Sequence, residues 1–206
     1  QVAQVMALSA PAILEFGAGS GRLAADLLSA LADCGVTPKS YDILELSAEL
    51  RQRQAKTLAS QAVVGCTPKW LDHLPESFSG VVIANEVLDA MPVHCVAWRE
   101  SGIFERGVAV GDKGDFIFSE RPASGRLLAE AENIGKTCAI TPDYESEVAL
   151  AAPAWLAGWG ERLQAGALIL IDYGFPRREF FHPQRRHGSL MSHFRHRAHD
   201  NPFFLP

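Results

Sequence analysis

A short apolar run that breaks into glycine at every second position constrains this chain more than any other feature. Pro11-Ala12-Ile13-Leu14-Glu15-Phe16 leads directly into Gly17-Ala18-Gly19-Ser20-Gly21. An uninterrupted apolar run of this length reads as a strand buried on both faces, the kind found in parallel sheets covered by helices. The helix that such a strand needs follows at once, with Leu23, Leu27, Leu28 and Leu31 at helical spacing up to Gly35. The pattern then repeats. Tyr41–Leu46 reads as a second strand, Ala48–Ala59 as a helix, Val63-Val64 as a short third strand and Gly80–Asn85 as a fourth. Strand and helix alternating at this spacing predict an α/β fold, a mostly parallel sheet with crossover helices.

After Pro92 the pattern changes. Val93–Arg99, Ile103–Val110 and Phe116–Glu120 alternate in polarity, with turn signals at Glu100-Ser101-Gly102 and Gly111-Asp112-Lys113-Gly114. They predict an antiparallel β-meander over 93–120, inserted in a parallel domain whose first part is 1–92 and whose remainder is 121–206. Helical character returns over Glu145–Leu163, and Ala167–Gly174 reads as a fifth buried strand.

The 206 residues suffice for one such domain with a modest insertion. No apolar stretch approaches the ~18 residues that a membrane-spanning helix requires. Four cysteines, Cys34, Cys66, Cys95 and Cys138, form no C-x-x-C pair, which fits a reducing compartment and predicts a cytoplasmic setting. The net charge of −5 is uneven. Between Arg177 and His199 lie six arginines and five histidines against one acid, Glu179. No nucleic-acid partner is expected from an otherwise acidic chain, but the local basic segment is real. Its histidines at 193, 196 and 199 are interleaved with arginines that oppose a cation, so no metal is expected there. A folded lid or a surface for an acidic partner suits it better, and a solvated basic loop is the plain alternative.

Glycines at 17, 19 and 21 let a nucleotide-like ligand approach the backbone where the first strand ends and the helix N-terminus begins. A dinucleotide fingerprint puts its third glycine at position 22, which is Arg22 here, and this speaks against a nicotinamide oxidoreductase. No Gly-Lys-Ser/Thr follows a glycine turn, which excludes a P-loop. Glu15 would repel a pyrophosphate, yet suits an ammonium or sulfonium group. Glu45 stands at the end of the second strand, where an acid commonly accepts hydrogen bonds from ribose hydroxyls. Together these positions predict the methionine-derived cofactor of a methyltransferase.

The fourth strand ends in Asn85-Glu86-Val87-Leu88-Asp89-Ala90-Met91-Pro92. In a doubly wound sheet, ligands sit beyond the carboxyl ends of the strands. If a helical turn begins there, Glu86 and Asp89 share one face and can clamp a guanidinium and take its proton. The plainer reading makes Asn85 a helix cap with two acids at the helix N-terminus. The Asn/Asp-Pro-Pro-aromatic signature of nucleobase-amine methylation is absent.

Glu15–Leu23, Tyr41–Ser47, Ala84–Val93, Ile171–Phe175 and Gly188–Pro202 together resemble the MidA-like methyltransferase family, which includes a mitochondrial complex I assembly-factor arginine methyltransferase. The resemblance runs from about Ala12 to the end of the chain. It implies a Rossmann-like class I fold, S-adenosylmethionine as cofactor and a protein arginine as acceptor. It places Glu15, Gly17, Ala18, Gly19 and Gly21 in the cofactor turn. Glu45 falls at the ribose, and Leu46 beside it also binds the cofactor. Asn85, Glu86 and Asp89 fall at the catalytic edge, with Asn85 also touching the cofactor, and Asp172 and Tyr173 fall against the substrate. The implied partner is a protein acceptor, such as a respiratory complex subunit, and a eukaryotic member would work in the mitochondrial matrix. A cofactor-binding assembly factor with little turnover is the other function this pattern allows. Family members carry longer segments on both sides, so these residues are expected to be part of a longer chain.

Overall fold

The computed structural model describes residues 1–60, 65–194, 197–199 and 201–203. The chain divides into two compact units, one of residues 1–90 with 154–173 and one of 91–153 with 174–206.

The first unit is built on a five-stranded sheet. In it β1 (Ala12–Phe16), β2 (Ser40–Leu44), β3 (Lys69–Leu71), β4 (Phe78–Asn85) and β9 (Leu163–Ile171) take the order β3-β2-β1-β4-β9. Every neighbouring pair is parallel. The crossovers include α2 (Arg22–Asp33) and α3 (Ala48–Ser60), with α1 (Val2–Leu8) ahead of β1. Period-two alternation divides the strand residues between two cores. Ile13, Tyr41, Ile43, Val81 and Ile83 pack with Ala24, Leu28 and Leu31 of α2 on one face. Leu14, Phe16, Val82 and Ala84 pack on the other face, with Trp159 of α5 (Ala151–Arg162). There Phe16 meets Trp155 and Trp159 edge to face, at 5.0 and 5.6 Å between ring centroids. Each such aliphatic or aromatic burial contributes roughly 1.5–3 kcal/mol.

The expected third strand at Val63-Val64 lies outside the described residues, and the third strand of the sheet is Lys69–Leu71. Three residues carry too little periodicity to be legible. The fifth parallel strand begins and ends earlier than expected, so Asp172 and Tyr173 lie in the loop beyond it.

The second unit holds a four-stranded antiparallel sheet. Strands β5 (His94–Arg99), β6 (Gly102–Val110) and β7 (Phe116–Pro122) form the expected meander. A fourth strand, β8 (Tyr144–Val148), pairs with β5 to give the order β7-β6-β5-β8. The expectation of helix from Glu145 onward is therefore corrected. Tyr144, Ser146 and Val148 are buried while Glu145 and Glu147 are not, which is the period of a strand, and the helix starts only at Ala151. The helix α4 (Gly125–Thr137) covers this sheet through Leu127, Ala131 and Ile134, packed with Val96, Trp98, Tyr144 and Val148. Trp98 donates its indole N–H to the Ala131 carbonyl at 3.1 Å. Residues 121–153 and 174–206 thus group with the meander, whereas the sequence pattern assigns 121–206 to the parallel domain.

The basic segment is folded onto this second unit. Arg177 pairs with Glu130 at 2.8 Å, the Arg186 guanidinium donates to the Asp143 carbonyl, and Arg185 stacks over Phe175. The Glu147 carboxylate accepts from the backbone N–H groups of Ser189 and Leu190 and from the Ser189 hydroxyl. Short strands β10 (Ser192–Phe194) and β11 (Arg197–His199) pair antiparallel, while His196 lies outside the described residues. No helix among the described residues is long and apolar enough to cross a membrane.

Candidate functional site

The loop after β1 is held by main-chain bonds from Gly17 to the Leu44 carbonyl and from Gly21 to the Ala18 carbonyl, with Ala18 buried between them. Two of its glycines are required for different reasons. Gly21 has φ +79°, and a Cβ there would sit 3.0 Å from the Gln54 Cα, so α3 packs directly on the turn. Gly19 has φ +53°, but a Cβ would meet nothing within 4 Å. Both need the left-handed region that favours glycine, and Gly19 leaves backbone facing open space. The following helix begins at Arg22, so its unpaired first-turn N–H groups lie at this loop.

Glu45 follows β2 and is buried. One carboxylate oxygen accepts from the Ser47 N–H at 3.0 Å and the other from the Gln54 side-chain amide at 3.0 Å. Each oxygen retains a lone pair for a further donor. Leu46 beside it is 89 % exposed, an apolar side chain left in solvent at the carboxyl edge of the sheet. Open backbone at Gly19, an acid at Glu45 and an exposed apolar face at Leu46 fit a nucleoside bearing an amino-acid tail.

Glu15 has a different environment from its neighbours. It is 1 % exposed, within β1, and its carboxylate accepts from the Tyr41 hydroxyl at 2.7 Å. Burial pushes its pKa above the ordinary carboxylate value, and the Tyr41 hydrogen bond opposes this only in part. Burial and the charge of Glu15 likewise push the Tyr41 phenol up.

At the carboxyl end of β4, Asn85 is half-buried and Glu86 adopts φ +50°, rare for a residue with a side chain. The Glu86 N–H donates to the Ile171 carbonyl at 2.8 Å, continuing the β4–β9 ladder one residue beyond the strand. No helix forms over residues 86–91, so the helical turn on which Glu86 and Asp89 would share one face is absent. Instead Asp172 closes the turn. Its Oδ2 accepts from the N–H groups of Leu88 (3.0 Å) and Asp89 (3.2 Å), and its Oδ1 accepts from the N–H of Tyr173 (2.9 Å). The N–H groups that a helix-capping Asn85 would serve are therefore taken by Asp172, from the loop after the neighbouring strand. Asp172, expected against a substrate, has both oxygens engaged by main chain.

Asp89 accepts the Tyr173 hydroxyl on Oδ2 at 2.6 Å. That bond, with the charge of Asp89 behind it, pushes the Tyr173 phenol above its ordinary value. Among the described residues no hydrogen bond reaches Asp89 Oδ1 or the Glu86 carboxylate. Two exposed carboxylates thus stand at the end of β4, Glu86 without a hydrogen bond among the described residues and Asp89 with one, next to the β1 end that carries the glycine turn.

Sequence reasoning misses Gln54. It is fully buried on α3, where its amide N–H donates to the Gly19 carbonyl and Glu45, and its oxygen accepts from the Trp70 indole at 2.8 Å. One residue thus joins the glycine turn, the acid after β2 and β3. Its only signal is a polar residue four places before Leu58, on what is otherwise the buried stripe of the helix.

The model for the family described as "Putative S-adenosyl-L-methionine-dependent methyltransferase" matches residues 1–206. A crystal structure from Burkholderia thailandensis bound to S-adenosyl-homocysteine is 46 % identical, with a TM-score of 0.88 over all of this chain and 53 % of that one. A native crystal structure from the same organism is 47 % identical with a TM-score of 0.87, covering all of this chain and 55 % of its own. The protein arginine methyltransferase NDUFAF7, mitochondrial, of Mus musculus is 24 % identical over an alignment of 219 residues that covers 91 % of this chain and 46 % of the relative. The chain therefore spans about half the length of the proteins it matches. The full-length family match, and a close structural neighbour holding the product of methyl transfer, agree with the glycine turn, Glu45 and the strand order, and the chain belongs to the family of S-adenosyl-L-methionine-dependent methyltransferases.

Proposed function

We propose that this chain carries the cofactor-binding and catalytic edge of an S-adenosylmethionine-dependent methyltransferase whose acceptor is a protein arginine. The observation that supports it most is the juxtaposition at the carboxyl ends of β1 and β4. An open glycine turn lies beside two exposed carboxylates, Glu86 and Asp89. When bound, S-adenosylmethionine supplies an electrophilic methyl on a sulfonium. Glu45 would accept the ribose hydroxyls, Leu46 would cover the base, and the amides around Gly19 would receive the amino-acid tail. Glu86 and Asp89 would hold a guanidinium by charge-assisted bonds and accept its proton. Asp172 would keep their turn in place, so that orientation supplies much of the acceleration. The arginine part rests on these paired acids and on likeness to the mouse enzyme.

Calorimetry of the chain with S-adenosylhomocysteine and with NAD tests the cofactor, and binding of NAD alone would overturn the proposal. Mass spectrometry of arginine peptides incubated with enzyme and labelled cofactor tests the acceptor, where labelled lysine or nucleobase would exclude arginine. The basic segment, anchored on the second unit, supports a second reading as a partner-docking assembly factor. Glu86→Gln separates the two, since lost methylation with retained partner function favours docking.

A further inference from the structure

The segment after β2 is gripped from α3 at two levels. Gln54 holds the Glu45 carboxylate, while Arg51, three residues earlier and so on the same face of the helix, holds the Glu45 main chain. Each nitrogen of the Arg51 guanidinium has its own acceptor. Nε donates to the Glu45 carbonyl at 2.7 Å, Nη2 to the Leu71 carbonyl at 2.9 Å and Nη1 to the Asp72 carboxylate at 2.8 Å. The parallel register of β2 and β3 ends at Leu44 and Leu71, so Glu45 and Asp72 lie one step past the last pair. Arg51 joins the two segments there, beyond the ladder. An exposed ion pair with Asp72 alone would contribute little, but two of the three bonds go to main-chain carbonyls, and only a planar fork serves three acceptors at once.

Resting on the reading of Glu45 as the acid that accepts the ribose hydroxyls, we infer that Arg51 is the positioning residue of that acid, bracing it against the carboxyl end of β3. The Ser47 N–H and Gln54 fix the carboxylate relative to α3, and Arg51 fixes this end of α3 to the ends of β2 and β3. Where the carboxylate stands at the edge of the sheet therefore depends on the brace. The guanidinium nitrogens are engaged on protein acceptors, so Arg51 acts through Glu45 and not on the cofactor. Two ribose hydroxyls must each meet a carboxylate oxygen in the right direction, and a small displacement of Glu45 weakens both bonds together.

The test is calorimetry of the chain with S-adenosylhomocysteine and with its 2′,3′-dideoxy analogue, whose affinity ratio reads the ribose hydroxyls alone. The wild type is expected to favour the hydroxylated ligand by about tenfold or more. Arg51→Met should weaken S-adenosylhomocysteine roughly five- to twentyfold and leave the dideoxy analogue within about twofold of the wild type. A merely structural loss weakens both ligands alike, so equal weakening of the two, or weakening of neither, would overturn the brace. Should Arg51→Met fail to fold, Arg51→Lys is read in its place. It keeps the stem and the charge without the fork, and the same drop in the ratio is expected of it. Glu45→Gln separates failure of the brace from failure of the reading beneath it. If Glu45→Gln binds S-adenosylhomocysteine as the wild type does, Glu45 is not the ribose acid and both fall. If it lowers the ratio while Arg51→Met does not, Glu45 stands and the brace alone falls. Adding Arg51→Met to Glu45→Gln should change S-adenosylhomocysteine affinity by less than about twofold, and a full further loss would show that Arg51 does not act through Glu45.

Discussion

The two sheets handle polar groups in opposite ways. The parallel sheet is buried on both faces, and the few polar side chains that enter it, Glu15, Gln54 and Glu45, are enclosed and individually hydrogen-bonded. The antiparallel sheet instead carries a lattice of charge, most of it between half-buried side chains that keep some contact with solvent. Arg99 pairs with Glu120 and Glu145, Arg106 pairs with Glu145 and stacks on Phe118, and Glu105 joins His94 to Arg121. Burying a polar group is costly even when it is paired, whereas an exposed ion pair is nearly neutral. The enclosed groups of the parallel sheet are therefore the ones whose presence calls for a functional reason.

The largest effects are expected at the aromatic anchors of the two units. Trp159→Ala in the first unit and Trp98→Ala in the second should each cost about 3–5 kcal/mol. Urea unfolding followed by fluorescence and circular dichroism will then show whether both shift one transition or each shifts its own. Gln54→Leu is expected to cost about 1–3 kcal/mol, since it leaves the Trp70 indole N–H unpaired. The same change should weaken S-adenosylhomocysteine binding, which calorimetry would detect, through the lost bonds to Gly19 and Glu45.

Glu15 gives a smaller effect with a defined sign. Its folded pKa lies above the ordinary 4.5, so its contribution is fully favourable below that value and is lost as pH rises through the folded pKa. Glu15→Gln keeps an acceptor for Tyr41 and removes the buried charge. Its Tm at pH 7 should exceed that of the wild type by roughly 2–4 °C, and the gap should close as the pH falls through the raised pKa toward the ordinary 4.5. A gap that widens on acidification would contradict this account. In the second unit, Glu120→Gln should change stability by less than about 1 kcal/mol, and the change should shrink further in 1 M salt.

How much of this is legible in sequence depends on burial. β1 and β4 stand out because strands covered on both faces are largely apolar, β2 because its Tyr41, Ile43 and Leu44 follow a clear helix, and Arg22 in place of a third glycine is enough to separate the cofactor classes. The meander shows because its turns carry Ser101-Gly102 and Asp112-Lys113-Gly114. The short β3 and the strand β8 do not. Tyr144-Glu145-Ser146-Glu147-Val148 alternates correctly, but its glutamates favour helix locally and only pairing with β5 decides the matter. At the site, the acids are readable as types, but their occupations are not. That Asp172 closes a turn, that Glu15 is sealed under Tyr41 and that Gln54 joins three elements are all long-range contacts. No local pattern encodes them.

The left-handed backbone of Glu86 carries one more consequence. Asparagine tolerates that conformation better than glutamate does, at a saving of up to about 1 kcal/mol. Glu86→Asn should therefore melt slightly higher than the wild type while losing transferase activity. A gain in heat resistance coupled to a loss of turnover at this residue would mark it as a position where durability has been traded for chemistry. A laboratory selection for thermal tolerance alone would be expected to erase the glutamate early.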